Sequence, residues 1–172
     1  MKFKLLGGIA AAIFALATPG MASAQTVYLA SDGLQIKGDD GNVDTVGWGT
    51  SQDDTVQFLS SGLGNPIGSD VNEECGAGPL GVVDFPGDTR LYFQAGSFIG
   101  WEIGEGSQMT SQNGVGIGIT QSQLQAASTE MEGEETSIGY EWSADDFHGL
   151  LTSGDPDGKV TTIWSGTTCI MR

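Results

Sequence analysis

The sequence predicts an α+β protein made of two tandem units, each a short capped helix followed by an antiparallel β-meander. Three observations lead to this prediction. A Gly-x-Ser/Thr motif precedes apolar residues with helical spacing, runs of alternating hydrophobicity with short turns follow, and this order occurs twice. The expected divisions are a signal peptide over 1–24, an N-terminal strand and polar segment over 25–46, and units over 47–110 and 111–172.

Residues 1–24 have the three parts of a secretory signal peptide. Lys2 and Lys4 precede thirteen apolar residues, and Ala22 and Ala24 place small side chains before the expected cleavage point. A membrane anchor is the alternative, but the apolar run is shorter than the ~18–20 residues that a membrane span needs. We therefore expect a soluble periplasmic or secreted protein, with no membrane insertion after cleavage.

The composition of the chain is strongly acidic. The whole sequence has 6 Lys+Arg and 22 Asp+Glu, and removal of residues 1–24 takes away two lysines and no acid. The remaining four basic and 22 acidic side chains give a formal charge of −18. Such a surface repels phosphate backbones and anionic lipids, which argues against nucleic-acid and membrane-surface binding and favours a protein partner with a basic surface.

The chain has two cysteines, Cys75 and Cys169, which lie 94 positions apart. In an oxidising compartment an even pair predicts a disulfide, here a structural one. A two-cysteine metal site with His148, or a reactive thiol, is the alternative.

The first unit begins with a helix predicted over 51–61. Ser51 and Asp54 have the spacing of a capping box, and acids lie in the first turn, where the helix dipole favours them. Apolar residues at spacings of three and four follow. The period then changes to two, which predicts three strands joined by short turns, over 82–85, 90–94 and 98–103.

The second unit repeats this order. Thr120 and Gln123 form a second capping-box pattern, 69 positions after the first. We expect a glycine-alternating strand over 114–118 before the helix and an acidic loop over 130–135 after it. Three further strands are predicted, over 138–142, 147–152 and 159–164. The four tryptophans are expected to fill the shared core.

The two motifs Gly49-Thr50-Ser51 and Gly118-Ile119-Thr120, with the helix-then-strands order over about 47–169, resemble the secreted beta-lactamase-inhibitor-protein fold. Outer-membrane-assembly accessory lipoprotein domains are similar. The resemblance implies a non-enzymatic protein that binds another protein through its sheet or loops. The chain departs from both families, because its one cysteine pair would join the two units and no acylated cysteine is present.

Two cysteine segments are similar to those of small secreted bacterial proteins of unknown function. These segments are Glu74-Cys75-Gly76-Ala77-Gly78-Pro79 and Trp164-Ser165-Gly166-Thr167-Thr168-Cys169. The similarity supports the disulfide and implies no activity.

No catalytic residue is assigned from the sequence. Ser143, Asp145 and His148 lie close together along the chain, but adjacency in sequence is not the geometry of a catalytic triad. A small extracytoplasmic hydrolase is one alternative function. It would use paired carboxylates from strand-like segments that could face one cleft; the candidates are Asp84, Glu102 and Glu141.

An extracellular calcium-binding protein is the other alternative, since two oxygen-rich loops suit hard cations. The candidate ligands are Asp39, Asp40, Asp44, Asp155 and Asp157. Neither loop has the EF-hand spacing, and otherwise we expect no cofactor.

A basic protein partner would contact acidic loops. The expected contact residues are Glu130, Glu132, Glu134 and Glu135, with the loop over 39–44 as a further contact.

Overall fold

The structure, a computed structural model, describes residues 25–170, so the predicted signal peptide lies outside the described residues. It is a mixed α+β protein in which strands dominate and helices are short. The twelve strands are β1 Thr26–Ala30, β2 Gly33–Lys37, β3 Val43–Gly47, β4 Gly68–Asn72, β5 Leu80–Phe85, β6 Thr89–Gln94, β7 Ser97–Ile103, β8 Thr110–Ser111, β9 Met131–Thr136, β10 Gly139–Ala144, β11 Phe147–Leu151 and β12 Val160–Gly166. The two helices are α1 Gln52–Leu63 and α2 Gln121–Ala127.

Eight strands form one antiparallel sheet in the order β4-β5-β6-β7-β12-β11-β10-β9. The strands that follow α1 form one half of this sheet, and the strands that follow α2 form the other. The halves meet at the antiparallel pair β7 and β12, where Ile103 lies opposite Ile163 and Gly100 opposite Gly166. Neither helix, within residues 25–170, is long and apolar enough to cross a membrane.

A second, four-stranded sheet has the order β3-β2-β1-β8. The sequence analysis predicts one strand and a polar segment over 25–46, whereas the structure has three strands there. β2 buries Leu34 and Ile36 but is flanked by Gly/Asp turn residues that hide its alternation. The predicted boundary between the two units, at 110/111, falls within β8, which pairs in parallel with β1. The prediction of two units does not include this sheet, which combines strands of the N-terminal segment with β8.

Both helices begin as the capping patterns predict. The Asp54 backbone N–H donates to Ser51 Oγ at 3.2 Å, and Gly64 caps the C-terminal end of α1. In α2 the capping box is complete, because the Gln123 N–H donates to Thr120 Oγ1 and the Thr120 N–H donates to Gln123 Oε1. The predicted helix over 51–61 and the observed α1 differ by one or two residues at each end.

The segment before α1 is hydrogen-bonded to the hairpin between β6 and β7. The Gly49 N–H donates to the Phe98 carbonyl at 2.8 Å, and the Phe98 N–H donates to the Thr50 carbonyl at 2.8 Å. The Gln52 N–H donates to the Gly96 carbonyl at 2.9 Å. These bonds fix the start of α1 against the first residues of β7.

The segment before α2 makes the corresponding bonds to β12. The Gly118 N–H donates to the Val160 carbonyl at 2.8 Å, and the Val160 N–H donates to the Ile119 carbonyl at 3.0 Å. The Gln121 N–H donates to the Gly158 carbonyl at 2.7 Å. The glycine-alternating strand predicted over 114–118 is wrong, because this segment is a turn with a single bridge at Gly116.

The main core lies on one face of the large sheet, beneath the helices and the small sheet. Leu59 of α1 and Leu124 of α2 are fully buried there. The Trp101 indole N–H donates to the Gly33 carbonyl at 2.9 Å, which ties the two sheets together. Trp101 and Trp142 belong to this core, as predicted for the tryptophans, whereas Trp164 does not.

The sequence analysis misses both edge strands of the large sheet. No strand is predicted over the residues of β4, and β9 is predicted as the acidic loop over 130–135, yet each pairs along its whole length with its neighbour. Neither edge strand has a fully buried residue, so neither carries the alternation by which a half-buried strand is recognised.

Candidate functional site

The large sheet has a second face that the helices and the small sheet do not cover, which we call the open face. Successive side chains of a strand point to opposite faces. Val83, Leu91 and Trp101 point to the main core, so Asp84, Arg90 and Glu102 point to the open face.

One row of aligned residues crosses the open face from β5 to β9. Each member lies directly opposite the next on the neighbouring strand. The row is Asp84, Arg90, Glu102, Trp164, His148, Ser143 and Glu132. Because β7 and β12 are about 60 positions apart in sequence but adjacent in the sheet, the row combines residues from both halves.

Arg90 and Tyr92 organise the charges in the first half of the row. Arg90 Nε lies 2.7 Å from Asp84 Oδ1, and this hydrogen bond raises the pKa of Arg90 above its ordinary value. The Tyr92 hydroxyl donates to Glu102 Oε2 at 2.5 Å. Burial of the ring, followed by this hydrogen bond, raises the pKa of Tyr92 above its ordinary value. Both carboxylates of this half therefore have partners within the protein.

The disulfide Cys75–Cys169 is formed, as the sequence analysis predicts, with an S–S distance of 2.06 Å. It holds the segment after β12 across the first half of the open face. Beneath it Leu80, Val82 and Tyr92 form a small second core that is separate from the main one. The cross-link thus covers part of the open face and leaves the second half uncovered.

His148 and Trp164 form the centre of the row. Their rings are stacked, with centroids 6.2 Å apart and an interplanar angle of 21°. His148 is exposed and lies within β11, in the strand predicted over 147–152. The stack lies between the two charged ends of the row. Trp164 is only 5% exposed, so His148 is the accessible ring of the stack.

The structure places Ser143 opposite His148, but it does not build a triad around them. Asp145 lies in the β10–β11 turn, and its carboxylate accepts a hydrogen bond from the Thr129 N–H at 3.2 Å. A triad needs the acid to orient the imidazole. Asp145 is therefore directed to a different neighbour.

The carboxylates proposed for a hydrolase all lie on the open face, but in two separate grooves. Asp84 and Glu102 line a groove of about 520 Å³, and Glu141 lines another of about 480 Å³. Asp84 and Glu102 are separated by one strand, a distance of about 10 Å between their backbones. The Asp84 carboxylate is paired with Arg90, and the Glu102 carboxylate accepts the hydrogen bond from Tyr92.

The second groove is the acidic end of the open face. Glu132 and Glu134 of β9 lie there beside Glu141, and Thr136 Oγ1 donates to Glu141 Oε1 at 2.9 Å. Glu135, opposite Tyr140, points to the helix-covered face. Of the four predicted contact residues, the structure brings Glu132 and Glu134 together, separates Glu135, and leaves Glu130 just before the strand.

The calcium candidates lie away from the open face. Asp39, Asp40 and Asp44 flank the turn between β2 and β3, where Asp40 accepts from both the backbone N–H and the side-chain amide of Asn42. Asp155 and Asp157 lie in the turn before β12. Within residues 25–170 no three His, Cys, Asp or Glu side chains converge as a metal site would require.

The sequence did not indicate the row or the stack, because both depend on which strands are neighbours. The only signal for them in the sequence was the alternation within β7 and β12, which placed Glu102 and Trp164 on the face of the strand that points away from the core. A comparison of the chain with protein families, with curated proteins and with solved structures finds no match.

Proposed function

We propose that this chain is an extracytoplasmic, non-enzymatic binding protein, and that the second half of its open face binds a partner protein with a basic surface. The observation that carries the proposal is the groove lined by Glu132, Glu134 and Glu141 next to the His148–Trp164 stack. A strand-built surface with carboxylates beside the exposed His148 ring combines electrostatic steering with an aromatic contact.

Electrostatics favour a basic partner over other classes. Among the described residues the cations are Lys37, Arg90 and Lys159, against 22 acidic side chains in the sequence. Arg90, the cation of the row, is already paired with Asp84. A basic partner would therefore meet an excess of acidic side chains, which in the second groove include Glu132 and Glu134.

We further propose that the large sheet arose by duplication of one helix-plus-meander unit. Three hydrogen bonds before α1 recur before α2 with similar lengths, and the donors Gly49 and Gly118 both have positive φ, 88° and 84°. The mirrored strand order about β7 and β12 supports the same idea. In this proposal the units keep the divisions 47–110 and 111–172, and the small sheet is an addition to them.

The duplicated arrangement supports the likeness to beta-lactamase-inhibitor-protein-like folds, from which we take architecture only. A protein of this kind presents its sheet to another protein. The cross-link between the units and the predicted signal peptide support residence in the periplasm or outside the cell, since disulfides persist in oxidising compartments.

The test is capture of a partner by two matched variants. In Glu132→Gln/Glu134→Gln/Glu141→Gln the acidic groove loses its charge, and in Asp39→Asn/Asp40→Asn/Asp44→Asn an acidic turn elsewhere loses the same charge. We expect a protein captured from the host's extracytoplasmic extract to bind the first variant about tenfold more weakly and the second almost normally. Equal weakening in both variants would contradict the proposed site.

A further inference from the structure

A separate surface lies along the outer edge of β4, at the far end of the first half. An edge strand presents backbone N–H and C=O groups that have no strand beside them. Natural proteins protect such edges with charges, and β9, at the opposite end of the sheet, has glutamates at 132, 134 and 135. β4 has one charged residue, Asp70.

Two large apolar side chains are exposed at this edge. Ile67, which immediately precedes β4, is 71% exposed, and Val71 is 53% exposed. With Val43 they are the exposed large hydrophobic residues of the described part of the chain. Ile67 lies on a groove of about 570 Å³ that runs between α1 and β4 and is also lined by Val56, Pro66 and Val83. The outer edge of β4 can therefore form backbone hydrogen bonds with another strand, next to a groove with apolar side chains in its lining.

The two sides of this edge differ in chemistry. On the α1 side the groove has an apolar part formed by Val56, Pro66, Ile67 and Val83 and a polar part that contains one charged residue, Asp53. On the open side β4 contributes Asp70, which lines a groove with Glu73 and Glu74. The Asp70 carboxylate also accepts a hydrogen bond from the Val71 N–H at 2.8 Å, so it lies close to the strand backbone.

We propose that β4 accepts an added strand from a partner, and that this strand alternates apolar and basic side chains. Alternate residues of an added strand point to the two faces, so one set would enter the groove beside Ile67 and the other would meet Asp70, Glu73 and Glu74. The occupant is an extended segment of another protein. A second copy paired in register would place Asp70 opposite Asp70, and like charges directly opposite are destabilising.

The experiment uses a nine-residue peptide of alternating lysine and valine with blocked ends, titrated into the full chain. Controls are a peptide with the same residues in two blocks and a peptide with glutamate in place of lysine. We expect binding of the alternating peptide alone. Two further peptides carry N-methyl groups on alternate backbone nitrogens, one on the odd residues and one on the even residues. We expect one of them to lose binding, because its methylated amides are those that pair with β4, and the other to bind as before.

Variants of the protein locate the site. Ile67→Lys/Val71→Lys removes the apolar contacts and adds repulsion, and we expect about tenfold or greater weakening. These exposed positions should leave the melting temperature unchanged. The matched control, Asp155→Asn/Asp157→Asn in the turn before β12, changes the net charge by the same amount and should bind the peptide within about twofold of the original chain.

Three outcomes would overturn the proposal. One is absence of binding up to about 1 mM peptide. The second is unchanged binding by the Ile67→Lys/Val71→Lys variant. The third is loss of binding in a separate variant, Glu132→Gln/Glu134→Gln on β9, which would place the peptide on the acidic groove and so favour the proposed function over this second site. Failure of the partner capture leaves the peptide result intact, since the two tests use different surfaces.

Discussion

The first half of the large sheet, β4 to β7, and the second half, β9 to β12, have the same strand order but different surfaces. The first half is preceded by a helix of 12 residues and the second by a helix of 7. The disulfide and a small apolar cluster cover part of the first half of the open face, whereas the second half has an uncovered acidic groove. The edge strand of the first half has one charged residue, Asp70, and that of the second has three glutamates.

This difference arises on one backbone arrangement. The hydrogen bonds that hold each helix to the sheet involve backbone groups, so they persist while the side chains of the open face change. Under the proposed function, the uncovered second half is the half that a basic partner would reach.

Removal of the disulfide should have the largest effect and should act mainly on the first half. Closing a loop of 94 residues contributes about 4–5 kcal/mol on the chain-entropy account. Cys75→Ser/Cys169→Ser should lose about that free energy of unfolding in urea titration, and hydrogen exchange should speed up in β5 and β6 more than in β10 and β11. A loss below about 1 kcal/mol would mean that the cross-link does not restrain the first half.

Tyr92→Phe removes the hydrogen bond to Glu102 beneath the disulfide. Tyr92 is 1% exposed, so loss of the donor should cost about 1–3 kcal/mol. Because the pKa of Tyr92 is raised on folding, its contribution is complete below about pH 10 and is lost as the pH rises toward the folded-state pKa. Urea titrations at increasing alkaline pH should therefore show a steeper decline for the original chain than for Tyr92→Phe. Equal declines would contradict this assignment.

The two glycines before the helices give a direct comparison of the halves. Gly49 and Gly118 have positive φ, and a Cβ at either position meets no atom within 4 Å. Gly49→Ala and Gly118→Ala should each cost about 1–2 kcal/mol, entirely from backbone strain. Similar losses in thermal denaturation would support the duplication, and a large loss at one position alone would argue against it.

The smallest effect is expected at the ion pair. Arg90 and Asp84 are each partly exposed, at 49% and 35% of their side chains, so Arg90→Gln should cost less than about 1 kcal/mol. The loss of unfolding free energy should shrink further in high salt, because dissolved ions screen exposed charges. A loss of unfolding free energy above about 2 kcal/mol that does not depend on salt would contradict the assignment of this pair as an exposed, screened ion pair.

The sequence predicted the strands that have one buried face, and their bounds differ from the structure by a few residues. β5, β6, β7, β10, β11 and β12 were found because alternation marks such strands. The edge strands β4 and β9 lack that signal, and β2 and β3 were hidden among turn residues. The disulfide followed from cysteine number and compartment.

The candidate site was only partly predictable. Glu132 and Glu134 were expected as partner contacts, but in a loop, and their position beside Glu141 depends on the pairing of β9 with β10. The stack of His148 on Trp164 requires β11 and β12 to be neighbours in a given register. Register between distant segments is a property of the folded sheet, so a local pattern does not contain it.

The most direct test of the central claim is carbodiimide labelling of carboxylates in the complex with the captured basic partner, read by mass spectrometry. We predict that Glu132, Glu134 and Glu141 become protected when the partner binds, while Asp39 and Asp44 label as before. Protection of Asp39 and Asp44 with unchanged labelling of the three glutamates would contradict the assignment of binding to the open face.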